Sequence, residues 1–206
     1  MRLMASPPRR RHGSRGQAMV EFAMVIWLFL MLIIAIVEFS VLFTSYVSIG
    51  FASKDAVQVA ATLGDTANAD TSILERIYND VMAPADQNRI TEVDIYQVDL
   101  TSTNGSPLGS NVNRYDYSAA GTLFTRPDLS KVTLPFASIS TGYPVTNRCN
   151  VNKGTGCPGS KTTVDTIGVT IYYQYKWITP FPQFVTSGSN GPMLSSANVM
   201  RLEPVQ

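Results

Sequence analysis

Two cysteines, one histidine and two acids beside or within an apolar stretch are the residues of this 206-residue chain whose chemistry is most constrained by position. Cys149 and Cys157 bracket the seven residues Asn-Val-Asn-Lys-Gly-Thr-Gly, a flexible span that closes readily into a disulfide in an oxidising compartment. Two unpaired, buried thiols are the alternative. A metal site would need more thiolate or imidazole ligands, and the single histidine, His12, precedes the apolar stretch while both cysteines follow it. No metal and no cofactor is therefore expected. Histidine catalysis is excluded for everything after Gly16, and a serine nucleophile would need another base that no local motif announces. Gly154-Thr-Gly156-Cys-Pro-Gly159 has the spacing of a dinucleotide-binding loop, but it follows no strong strand, opens no helix and contains Pro158. Catalysis would fall to carboxylates alone, and no convergent acid pair is identifiable, so an enzyme is not the expected reading.

The element that positions the two acids is a long helix. From Phe22 to Val37 no side chain is charged, and the run is apolar on every face, which suits lipid. Extended through Phe43 it measures about 33 Å at the helical rise, against a hydrocarbon core of about 30 Å. Arg2, Arg9, Arg10, Arg11 and Arg15 are the only charged residues before Glu21 at its head, and Lys54 is the first basic residue beyond it. This asymmetry places the N-terminus in the cytoplasm. With five of the 16 Lys and Arg in the leader, the remainder is net acidic against 15 Asp and Glu, which excludes a basic nucleic-acid surface there.

A secretory signal peptide has an apolar core of about 7–15 residues and ends in a small-residue cleavage site. Here the run is longer and continues into more helix. Thr44 to Leu63 contains no Pro and only Gly50, while Phe43, Val47, Phe51, then Val57, Ala60 and Ala61 recur at helical spacing. One helix from about Gln17 to Leu63 is predicted. The boundaries are a basic leader at 1–16, a transmembrane helix at 17–43, an amphipathic extension at 44–64 and an extracytoplasmic domain at 65–206. Glu21 and Glu38 then lie about 25 Å apart, one near each face of the bilayer. Glu38 suits the outer interface. Glu21 either marks the inner interface or stands in lipid, where a lone carboxylate costs about 2–3 kcal/mol.

The basic leader, Gly16, four intervening residues and then Glu21-Phe22 at the head of an apolar helix resemble the processing site of type IV-like pilins, in the version used by Tad (Flp) pilus systems. The stretch from Glu21 through the second Glu-Phe pair, Glu38-Phe39, is similar to the TadE-like pseudopilins. Ile167–Tyr175, Thr179-Pro180 and Ala197–Glu203 look like that family's closing strands, whereas the middle of the chain resembles it weakly. Trp27 stands where many members carry a helix-kinking proline, so a straighter helix is expected. The resemblance implies a minor pseudopilin in the bacterial inner membrane with its C-terminal domain in the periplasm, or at the cell surface within a pilus. Its implied partners are a prepilin peptidase that cuts after Gly16 to leave Gln17 first, other Tad pilus proteins and membrane lipid. Glu21, with Phe22, would serve assembly, its carboxylate neutralising the Gln17 amine of an adjacent subunit. An uncleaved, membrane-anchored binding module is the rival reading. Tad proteins with a von Willebrand-type domain fit less well, because no Asp-x-Ser-x-Ser motif is present.

Beyond Leu63, Ser72 and Glu75 have capping-box spacing ahead of Ile73, Ile77 and Val81, with Pro84 after the helix end. Glu92–Leu100 reads as a strand whose apolar phase switches, as at a bulge. Thr103-Asn104-Gly105-Ser106 supplies turn chemistry, with Val112–Tyr117 returning as its partner. Ile167–Trp177 alternates cleanly, predicting one buried and one wet face, and Ser195–Leu202 is expected to pair with it. Tyr117 to Val164 reads as long loops. The expected fold is α+β and pilin-like, with a small antiparallel sheet against the second half of the long helix.

Overall fold

The computed structural model describes residues 14–150, 157, 163–180 and 190–202. The leader up to residue 13, with His12, and most of the 154–159 glycine stretch lie outside the described residues. The chain divides into two compact units, Met1–Ser40 and Val41–Gln206.

Helix α1 spans Ser14–Leu63. It stops where Gly64 takes a left-handed φ of 52° and donates its N–H to the Ala60 carbonyl at 3.0 Å, a glycine-type C-terminal cap. A Cβ at Gly64 would also meet the Asn150 amide at 2.6 Å, so this residue serves both turn and close approach. Within the second unit the buried face of α1 is Ile49, Ala52, Ser53, Ala56, Val57 and Ala60. Most of these side chains are small, which lets the helix lie close to the sheet, and the Ser53 hydroxyl donates to the Val169 carbonyl at 3.0 Å. Phe43, Val47 and Phe51 are 57, 36 and 64% exposed, so the apolar stripe expected to pack inward at those positions faces outward. Helical spacing identifies a stripe but does not say which of two neighbouring stripes meets the sheet, and here the slimmer one does.

Helix α2 (Ala69–Asp80) buries Ile73, Leu74 and Ile77. It begins three residues before the expected capping box: Asn68 precedes it in a left-handed conformation with no side-chain cap, and Ser72 lies inside the helix. Glu75 turns instead to Arg126, accepting from Nε and Nη2 at 2.7 Å each. That guanidinium holds the Glu75 carboxyl below its usual range.

The sheet is β1 (Ile90–Val98), β2 (Pro107–Thr125), β3 (Lys131–Thr141), β4 (Thr166–Lys176) and β5 (Asn190–Arg201), ordered β3-β2-β1-β4-β5 and antiparallel throughout. Its core-facing side presents Val93, Ile95, Tyr115, Phe136, Ile167, Val169 and Ile171 to the cluster containing the α1 and α2 faces. The β1–β2 register slips between Tyr96 and Val98, where the apolar phase of the sequence switches. β3 and the far half of β2 replace the loops expected from Tyr117 to Thr141, while from Gly142 to Asn150 the chain is a loop with one short 3-10 turn at Val145–Asn147. Pro135 disguised β3, since proline removes a ladder donor. It falls between the pairs Thr122↔Leu134 and Tyr117↔Phe136, where the ladder is already interrupted. The outer face of β4 is also less wet than alternation suggests. Tyr96 lies across Gly168, where a Cβ would sit 2.4 Å from the ring, and Thr170 is 8% exposed.

Candidate functional site

The residues singled out for processing and assembly stand together on the first turns of α1. Gly16 is the third residue of the helix, and a Cβ built on it meets nothing within 4 Å. One turn on, the Gln17 side-chain amide donates to Glu21 Oε1 at 3.0 Å. Glu21 is exposed, and Phe22 is 67% exposed. From Phe22 to Phe39 the large apolar side chains are mostly exposed, although Glu38 is buried at 5% exposure. A helix that exposes so uniformly apolar a surface has no stable place in water. Gly16–Leu63 is long and apolar enough to cross a membrane. The first turns of α1 thus present a glycine with open space around it and a carboxylate four residues beyond Gln17, at the head of an exposed apolar helix.

Cys149 and Cys157 are joined as a disulfide, with Cα atoms 4.8 Å apart. Cys149 is fully buried; its N–H donates to Asp165 Oδ2 at 2.9 Å and its carbonyl accepts from the Asp165 N–H at 3.1 Å. The bridge therefore closes a loop directly after a buried anchor. Thiol alkylation of unreduced, exported protein is expected to leave both cysteines unlabelled, with reduction lowering stability by about 2 kcal/mol. Rapid labelling at both positions without reductant would show that the pair is not closed.

Sequence reasoning missed the polar lock that holds this anchor. Arg148 is fully buried, stacks 5.0 Å over the Tyr143 ring and pairs through Nη2 with Asp70 Oδ1 in the first turn of α2. Asp70 Oδ2 accepts from Asn113 Nδ2 at 2.7 Å and from the Tyr115 hydroxyl at 2.9 Å. Asp165 accepts from Gln97 Nε2 at 2.8 Å and from the Tyr143 hydroxyl at 3.0 Å. Burial, with a carboxylate beside each phenol, pushes the Tyr115 and Tyr143 hydroxyls well above their usual range, so both remain donors. The available hint was a charged residue, Arg148, beside a cysteine in an otherwise uncharged stretch. Its partner 78 positions away leaves no local pattern.

Residues 16–58 match the model of the TadE-like protein family. The TadE-like segment covers about a fifth of the chain, starting at Gly16 and ending within α1. No curated protein and no solved structure shows significant similarity to the chain. The match thus rests on the helix, and the sheet domain is described by its own geometry.

Proposed function

We propose that this chain is a minor pseudopilin or pilus-assembly component of a Tad-type pilus, cut by a prepilin peptidase after Gly16 and acting through helix association. The observation that carries the reading is the exposed apolar half of α1, headed by Gly16 and Glu21, where the TadE-like match begins. Val41 and Leu42 pack against the folded unit's core, so the run left for lipid is Phe22 to Ser40, about 28 Å at the helical rise. That still suits a hydrocarbon core of about 30 Å. The leader arginines stay in the cytoplasm, and the sheet domain lies in the periplasm, where the disulfide is chemically at home.

After the cut, the Gln17 amine is a cation at the membrane edge. Glu21 of a neighbouring helix offsets it only when the two helices meet in the right stagger, because both charges are costly in lipid when alone. Glu21→Ala is expected to insert at least as well as the parent and to be trimmed normally, since it removes a penalty of about 2–3 kcal/mol in lipid. Co-purification with the other pilus components should drop sharply. Retained co-purification and normal piliation would reduce Glu21 to an interfacial acid.

A further inference from the structure

At the end of the folded unit where α1 runs back into its apolar half lies a cleft of about 320 Å³, lined by Val41, Arg89, Tyr173, Tyr175, Lys176 and Trp177 among others. Asp86 also lines it and supplies one carboxylate, and the remaining polar groups are donors. The Tyr173 hydroxyl oxygen accepts from the Asp86 N–H at 3.0 Å, which leaves the phenol its own proton to give. Burial raises the Tyr173 pKa and keeps that proton in place. The Trp177 indole nitrogen is buried and has no acceptor among the described residues. Lys176 is exposed and has no ion pair among the described residues. Arg89 approaches Asp86 only to 3.9 Å, and the other oxygen of that carboxylate is taken by the Asn88 backbone and side-chain nitrogens at 2.9 and 3.1 Å.

Two cations and two neutral donors with no acceptor among the described residues, set against one carboxylate already engaged by Asn88, call for an anionic ligand with several acceptor oxygens. The setting narrows its source. Val41 is the first residue of the folded unit, so the cleft opens beside the point where the chain enters its apolar run. Ile178, 61% exposed, stands on the rim. Tyr and Trp together with Lys and Arg are the residues that settle at a membrane–water boundary. We propose that this cleft takes the phosphodiester headgroup of an anionic phospholipid from the outer leaflet of the membrane that α1 spans. A free phosphate would satisfy the donors but would make no use of the apolar rim, whereas a lipid brings acyl chains to it. The proposal rests on the membrane-anchored reading above, and it adds a headgroup clamp that fixes the sheet domain against the bilayer.

The test uses the full chain with Trp27→Phe, so that Trp177 is the only tryptophan, in nanodiscs of phosphatidylcholine with increasing phosphatidylglycerol. Trp177 emission should shift with the anionic fraction, and the midpoint should rise about fivefold for each of Lys176→Gln and Arg89→Gln, as expected for loss of one cation near an anionic surface. Inorganic phosphate in solution should not reverse the shift. A chain that fails to co-elute with nanodiscs overturns the membrane reading and this proposal with it. A chain that co-elutes but shows no shift, or the same midpoint in both variants, overturns the proposal alone. Reversal by inorganic phosphate would assign the cleft to a free anion and also overturn it.

Discussion

Gly16→Val should leave the leader attached, and the mass of the membrane-extracted chain should then be that of the uncut polypeptide. Gly16 lies in the first turn of α1, whereas a peptidase needs the scissile backbone extended and close to its own. Glycine eases both steps. It destabilises a helix by roughly 0.5–1 kcal/mol relative to alanine, so the first turn unwinds readily, and it offers no side chain to obstruct approach. Valine opposes the second step with a branched side chain. The fold itself tolerates the substitution, because a Cβ at position 16 meets nothing within 4 Å. A folded, inserted but uncut variant is therefore the expected product, and it should be absent from pili for want of a Gln17 amine. Parent protein that already carries its leader would establish the rival, an uncleaved anchored module. A Gly16→Val chain trimmed like the parent would move the cut elsewhere.

Asp70→Ala should be the most destabilising single change in the sheet domain, by about 3–5 kcal/mol, because it strands a buried guanidinium. Arg148 has no exposure through which water could compensate, and its Nε and Nη1 are buried with no hydrogen-bond partner among the described residues. The same substitution removes the acceptor for Asn113 Nδ2 and for the Tyr115 hydroxyl. Losing Asp70 thus unfastens α2, β2 and the segment leading to Cys149 together. Chemical denaturation of the full chain in detergent, followed by tyrosine and tryptophan fluorescence, gives the shift. Asp70→Leu with Arg148→Met should recover most of the loss, since an apolar pair of similar volume removes the stranded charge. A single Asp70→Ala variant within 1 kcal/mol of the parent would show that the pair is not a lock.

Periodicity and composition made α1 legible from Gln17 to Leu63 and placed β4 within a residue of its observed limits, because both signals are local. The same holds for the β1–β2 turn around Gly105, whose φ of 63° only glycine adopts freely. Local signals failed wherever the deciding partner was distant in sequence. Glu75 looked like a capping residue until Arg126 was brought beside it, and Pro135 looked like a loop residue until β2 supplied a matching irregularity. Of the candidate site, the sequence showed which residues head the apolar helix but not that Gln17 and Glu21 share a hydrogen bond in this chain.

The sequence by itself determined that this protein has an apolar helix with an acid at each end, a basic leader before it and a net acidic, strand-bearing domain after it. Those properties depend on hydrophobicity, charge and a repeat of 3.6 or 2.0 residues, which no tertiary contact can change. Only the tertiary structure decided which stripe of α1 meets the sheet, that Tyr96 closes over Gly168, that Asp70 and Arg148 meet, and that donors from β4 and the Arg89 turn converge beside Val41. Each of these joins residues far apart in the chain, and their encounter depends on strand order and register rather than on the identity of near neighbours.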